Sequence, residues 1–389
     1  MNRILIASGV VAAMLTTSVG AAETLKIGYI NTFSGGAAIL GKHQRDGFDL
    51  AIDHLGGKVG GLETEVIYGD DQRKPDVAKS LADKMIKKNR VHFIAGITWS
   101  NLLMAVQKSV TRSKTFLIST NAGASPMAGK LCNPYFFTTS WNNDQMPEAM
   151  GQLVQEAGDD NVFMMAPNYQ AGKDMLAGFK RYYKGKVVGQ ILTKLGQKDY
   201  QAEISQVRAA KPETLYVFMP GGMGIAFMKQ WGASGLAQSI QLYTVFTVDH
   251  LTLKPIGKAA IGTFHTNFWN HESDNPVNQK FIKDFQKKYG YMPSHFAAQA
   301  YDAPLLIDSA VRAVNGDLSN KDGIRDAMRK ADFKSVRGGF RYNTNHVPIQ
   351  NFYRREVVAG ADGNAKIVTT GVVFKDYKDS YYKDCKMTW

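Results

Sequence analysis

The chain has 389 residues, of which 44% are hydrophobic, and it carries a net charge of +13. That length exceeds what one core usually serves, so two domains are expected, and the apolar fraction excludes disorder as the bulk state. Basic residues are spread over helix faces, as in Lys84, Lys87, Lys88 and Arg90, without the interleaved aromatics that a nucleic-acid platform needs, so no nucleic-acid partner is expected.

Residues 1–22 read as a secretory signal. Arg3 supplies a positive start, residues 4–15 are apolar, and Gly20-Ala21-Ala22 offers small residues for cleavage before Glu23. No later apolar run is long enough to span a bilayer, so an exported protein of the periplasm is expected. Cys132 and Cys385 are the only cysteines. An oxidising compartment favours their pairing; the alternative is two separate buried thiols.

Strand and helix patterns then alternate. Residues 25–30 read as a strand, 38–55 as a helix stopped by Gly56-Gly57, and 63–68 as a strand. Pro75 opens the next helix, where its missing N–H costs nothing, and Val77, Leu81 and Met85 give that helix one apolar face. Residues 91–97 and 115–119 are further strands. This alternation predicts a parallel sheet with helices on both faces. The stretch 94–124 brings two strand ends side by side, each followed by small or hydroxylated residues. Ligands in open parallel sheets sit outside such ends, so Ser100 and Gly123 are expected to hold the anionic end of a small molecule.

Two glycine-rich turns are weaker signals. Gly36 to His43 nearly spells a phosphate-binding loop, but His43 stands where a Mg²⁺-holding Ser or Thr is needed, so a turn into a helix is preferred. The turn Pro220-Gly221-Gly222-Met223-Gly224 follows the strand 214–219 and either lets backbone approach a ligand or makes a tight corner; Met223 is retained as a candidate contact. Catalytic and metal constellations do not emerge. Ser100 lies outside any G-x-S-x-G turn, and the eight histidines show neither H-E-x-x-H nor an i,i+4 pair. No metal, cofactor or enzymatic turnover is expected.

After a strand at 135–138 the pattern restarts. Helices at 143–156, 172–183, 202–209 and 225–233 alternate with strands at 161–165, 186–192, 214–219 and 241–245, which is a second α/β series. Helices follow at 276–289, 296–314 and 321–330. They form their own domain or return to the first sheet. The strand-like segments 351–358 and 366–373, split by the turn at 361–364, read as a hairpin-like pair near the second series.

Taken in order and spacing, LKIGYINTFSG at 25–35, IAGITWS at 94–100, ISTNAG at 118–123, FTTSWNNDQ at 137–145, YQAG at 169–172 and AYDA at 300–303 carry a resemblance over nearly the whole mature chain. It resembles the periplasmic solute-binding proteins of ABC transporters, in the branched-chain amino-acid (type I) group. The resemblance implies two Rossmann-like lobes with parallel central sheets joined by a three-strand hinge. The first lobe would comprise 23–140 plus 269–348 and the second 141–268 plus 349–389. It implies capture of one small solute between the lobes, delivery to a membrane permease, and no chemistry. It also implies carboxylate-gripping roles for Ser100 and Gly123, with Asn121 offering its carbonyl to the ligand, an aromatic wall at Tyr169, and a packing contact from Phe296.

One departure matters. The position where amino-acid binders carry a carboxylate for the ligand ammonium falls on Phe246, with Asp249 three residues on as the alternative. Phe33, Trp99, Trp141, Tyr169, Phe246 and Phe296 would make an aromatic box suited to a flat acid. The expected ligand is an aromatic carboxylate of the benzoate or cinnamate type, and the expected form is a monomer. A branched-chain amino acid or an amide or urea is the alternative in the same transporter class. An exported enzyme and a receptor-docking sensor are more distant.

Overall fold

The computed structural model describes residues 23–387, so the signal expected over 1–22 lies outside the described residues. The first sheet contains β1 (Leu25–Asn31), β2 (Lys58–Val59), β3 (Leu62–Asp70), β4 (Phe93–Gly96), β5 (Phe116–Ser119) and β6 (Phe136–Thr138), in the order β2-β3-β1-β4-β5-β6. All its pairings are parallel except the short β2–β3 ribbon. β3 lies on one side of β1 and β4 on the other. That reversal leaves a crevice beyond the carboxyl ends of β1 and β4.

The second sheet contains β7 (Asn161–Pro167), β8 (Lys186–Thr193), β9 (Thr214–Phe218), β10 (Gln241–Val245), β11 (Phe264–Asn267), β12 (Arg341–Tyr342), β13 (Pro348–Ala359) and β14 (Ala365–Tyr377). Its order is β12-β13-β11-β10-β9-β7-β8, with β14 on the far edge of β13. Here too the order reverses, between β7 and β9. The resemblance implied a parallel sheet, but this one is mixed. β13 runs antiparallel to β11, β12 and β14 because the chain enters it from the other lobe and then turns back in a hairpin.

The helices Pro276–Tyr289, His295–Ala313 and Lys321–Lys330 return to the first sheet. His295–Ala313 lies along Ala38–His54, and Gly47 permits the approach: a Cβ there would sit 2.2 Å from the Ala297 carbonyl oxygen. Phe48, Ala300, Ala303 and Ile307 share one core with Ile27, Phe93 and Ile118 of the first sheet. The turn after β1 is indeed a close approach into a helix, since a Cβ on Gly41 would meet the Thr32 carbonyl oxygen at 2.0 Å.

The chain passes between the sheets near residues 139–144, 268–275 and 331–348. Arg337 braces this region, donating to the Thr139 carbonyl (2.7 Å), Gln350 (2.8 Å) and Asp302 (2.9 Å). A fourth passage follows β14. Tyr377 donates to Glu148 (2.9 Å) and Tyr381 to Asp144 (2.9 Å), both on the second lobe. Between them Asp379 accepts from Asn345 (3.0 Å), which also donates to the Ala128 carbonyl beside the first sheet (2.7 Å). The tail ends in a disulfide between Cys385 and Cys132, with Cα atoms 5.7 Å apart, so the pairing expected from the sequence is formed.

Candidate functional site

The two crevices face each other. β4 ends at Gly96, whose φ of +108° and whose approach to the Ile30 carbonyl oxygen (2.3 Å from a built Cβ) admit only glycine without strain. Trp99 is then extended and caps the helix Ser100–Arg112 without a side-chain hydrogen bond. Its carbonyl accepts from Leu102 (3.0 Å) and Leu103 (2.9 Å), while the Ser100 and Asn101 N–H groups at the helix start have no hydrogen-bond partner among the described residues. The loop after β5 is stitched to the same place. Thr120 N donates to the Gly96 carbonyl (2.9 Å), and Ala122 N to the Ile97 carbonyl (3.0 Å).

Ser100 is buried, and its Oγ accepts from Asn143 Nδ2 at 3.0 Å. With one lone pair taken, the hydroxyl proton is free to point into the cleft. Asn143 Nδ2 also reaches Asp174 (2.8 Å), which Ser125 N (3.1 Å) and Gln170 (2.8 Å) hold as well. Burial pushes the Asp174 carboxyl up, and the Asn143 amide stands between it and Ser100. A helix start with free N–H groups, a hydroxyl and a partial positive charge is a site for an anion.

The opposite wall comes from the second lobe. Tyr169 follows β7, Phe218 closes β9, and Phe246 follows β10. Tyr169 stands edge-on to Trp99 at 5.8 Å and stacks on Phe218 at 6.3 Å. Burial raises the Tyr169 hydroxyl, which stays neutral. Phe246 packs on Trp141 (4.5 Å), Phe218 (6.0 Å) and Phe296 (6.3 Å). Its φ is +54°, a left-handed value that costs a non-glycine residue about 1–3 kcal/mol and clusters at ligand clamps.

Together these walls form a cavity lined by Leu40, Thr98, Trp99, Ser100, Asn121, Ala122, Trp141, Asn143, Tyr169, Ala171, Met175, Phe218, Pro220, Phe246 and Phe296. None of these is Asp, Glu, Lys, Arg or His. Most of the polar side chains are spoken for. Asn121 Nδ2 donates to the Thr98 carbonyl (2.6 Å) and its Oδ1 accepts from Gln299 (2.8 Å), while Thr98 Oγ1 serves Asn31 and Gln44. The Asn121 carbonyl, expected to face the ligand, accepts from Ser140 Oγ at 3.1 Å. Among the described residues no cluster of His, Cys, Asp and Glu could hold a metal ion.

Seven of the ten residues expected at the site line this cavity: Trp99, Ser100, Asn121, Trp141, Tyr169, Phe246 and Phe296. Phe33 does not. Its backbone is held by Asp70 (2.9 Å), and its ring turns to Tyr29 (6.4 Å) and Tyr68 (6.3 Å). Met223 does not line it either, because the helix begins at Gly222, earlier than expected, and aims the sulfur at Gly196 N (3.2 Å). Gly123 lies behind the lining, pressed on the crossover: a Cβ there would be 2.3 Å from the Trp141 carbonyl oxygen. Asp249 is likewise absent from the lining. It accepts from Leu251 N (2.8 Å) and Thr252 N (3.0 Å), and burial pushes its carboxyl up to about 6. Phe218, Leu40, Met175 and Asn143 are lining residues that the sequence reading missed.

The family model for periplasmic binding proteins matches residues 24–364. The chain belongs to the type I periplasmic binding proteins, in their branched-chain amino-acid-binding family. It is therefore the solute-binding component of an ABC transporter, a class of binding proteins rather than of enzymes, working with a membrane permease. Among solved structures it is similar to an R. palustris ABC transporter solute binding protein in complex with benzoate. The two are 32% identical with a TM-score of 0.89, covering 94% of this chain and 100% of the other. A Rhodopseudomonas palustris solute binding protein in complex with 3,4-dihydroxy benzoic acid is 29% identical, with a TM-score of 0.86, covering 92% and 99%. Among curated relatives, the Leu/Ile/Val-binding protein homolog 6 of Brucella melitensis is 28% identical over 362 residues, 90% of this chain and 91% of that protein. The family is exported, and no described helix is long and apolar enough to cross a membrane.

Proposed function

We propose that this periplasmic binding protein captures an aromatic carboxylate, of the benzoate or cinnamate type, between its lobes and delivers it to the permease. One observation carries the reading: the cavity has an anion-binding helix start at one end and no charged side chain anywhere in its lining. A carboxylate is met by the Ser100 hydroxyl and by the N–H groups at the helix start. A planar ring is met by Trp99, Tyr169, Phe218, Phe246 and Phe296. An amino acid would bring an ammonium group as well, and Phe246 stands where its partner carboxylate is expected. An unpaired buried charge is very costly. The benzoate and dihydroxybenzoate bound by the two neighbours accord with this choice, while the Leu/Ile/Val names among the relatives favour the branched-chain alternative.

On this reading the lobes comprise 23–140 plus 269–348 and 141–268 plus 349–389. The chain acts as a monomer, and the mature protein begins at Glu23 in the periplasm. Sedimentation and N-terminal sequencing of the exported protein check these points.

A thermal-shift panel on refolded, ligand-free protein tests the ligand class. Benzoate, hydroxybenzoates, cinnamate, leucine, isoleucine, valine, benzamide and urea are compared. At one hundred times its dissociation constant a native-state ligand adds about 2.7 kcal/mol. A shift with leucine and none with any aromatic acid sinks the reading.

A further inference from the structure

Trp141 lies on the first passage between the lobes and is 3% exposed. Its ring lines the cavity, yet its indole Nε1–H has no hydrogen-bond partner among the described residues. A buried donor left unpaired is costly, and proteins avoid it. Two other tryptophans obey the rule. Trp99 Nε1 donates to Thr32 Oγ1 (2.9 Å), and Trp269 Nε1 to Asn278 Oδ1 (2.8 Å). Trp231 Nε1 is also unpartnered, but Trp231 is not part of the cavity lining.

The edge of the ring that carries the orphan donor lies against Gly123, on the loop after β5. A Cβ built on Gly123 would lie 2.8 Å from Trp141 Cδ1, the ring atom bonded to Nε1. The indole N–H is thus beside the same strand-end loop that adjoins Ser100. The ring is confined by Phe246 (4.5 Å), Phe268 (5.3 Å) and His295 (5.9 Å). The Thr98 and Asn121 side chains of the same lining are already engaged. A carboxylate oxygen brought by the ligand would supply an acceptor.

We infer that Trp141 donates its indole N–H to the ligand carboxylate, beside the Ser100 hydroxyl, and so selects acids from a position on the hinge. The inference rests on the proposed ligand class. A carboxylate has about four lone-pair sites, enough for the indole, the hydroxyl and the helix-start N–H groups together. An aromatic amine of the same shape offers none of these donors an anionic acceptor. Because Trp141 contacts Phe246 of the second lobe and Phe268 on the second passage, a ligand bonded to it touches the moving parts of the hinge directly.

The test is a titration of ¹⁵N-tryptophan-labelled protein with benzoate, followed by the indole ¹H–¹⁵N resonances. Trp141→Phe keeps the ring stacking, removes the donor and identifies the resonance; Trp231→Phe serves as the control. The Trp141 resonance is expected to move downfield on binding, and Trp141→Phe to weaken benzoate by about tenfold or more, with the Trp231→Phe affinity unchanged. Should Trp141→Phe not fold, Trp99→Phe, Trp231→Phe, Trp269→Phe and Trp389→Phe identify the resonance by elimination. Tight benzoate binding with an unmoved Trp141 resonance overturns this inference and leaves the ligand class standing. Failure of the unaltered protein to bind any aromatic acid overturns both.

Discussion

Ser100→Ala separates the ligand role of this residue from its structural one. In the native protein Ser100 Oγ accepts one bond, from Asn143 Nδ2. Losing it leaves no polar group stranded, since Asn143 Nδ2 keeps Asp174 at 2.8 Å. The stability cost is therefore about 1 kcal/mol or less. The ligand, by contrast, loses a hydrogen bond in which its carboxylate is a charged acceptor, about 1.5–3 kcal/mol, which corresponds to a rise of roughly 10–150-fold in Kd. Titration calorimetry with benzoate measures the second quantity, and urea unfolding of the ligand-free protein the first. A Kd within about threefold of the unaltered protein refutes the assignment. So does a stability loss large enough to account for the weaker binding.

Gly96→Ala places a Cβ 2.3 Å from the Ile30 carbonyl oxygen at a φ of +108°, and is expected to cost more than about 2 kcal/mol in urea unfolding. Replacing Cys132 and Cys385 together by Ser opens a loop spanning 253 residues and is expected to lower stability by about 2–5 kcal/mol; an unchanged midpoint contradicts this. Asp249 faces His295 Nδ1 at 3.9 Å, with Arg355 nearby, and burial holds its carboxyl at about 6 against an ordinary 3.8. The native state keeps that proton where the unfolded chain has lost it. The contribution is full below pH 3.8 and is lost as pH rises through 6, about 3 kcal/mol in all. Asp249→Asn removes this slope, so its stability relative to the unaltered protein is expected to rise by that order between pH 4 and 7; equal differences at both pH values speak against it.

Strand and helix alternation made both sheets legible, because period and turn residues are local properties. Ser100 was legible for the same reason: it opens a helix after a buried strand, beside another strand end. The disulfide was legible because only two cysteines exist. What escaped depends on packing between distant segments. Phe218 and Met175 look like ordinary strand and helix core, and only the facing of the two lobes turns them toward a cavity. Phe33 follows a strand end just as Ser100 does, yet Tyr29 and Tyr68 capture its ring. Met223 was misplaced with its helix, whose start at Gly222 follows a glycine with a φ of +61°. The antiparallel edge of the second sheet was hidden because direction of pairing depends on where the chain re-enters.

The bonded tail changes the mechanics of the clamp. Three connections alone would leave two jaws free to swing and to twist about one another. Here residues 377–385 close a ring. Tyr377 and Tyr381 fasten to one jaw, while Asp379 and Cys385 fasten to the other. Such a ring behaves as a linkage with a stop. Fewer than ten residues, at about 3.3–3.6 Å each when fully drawn out, fix the widest gape along that edge.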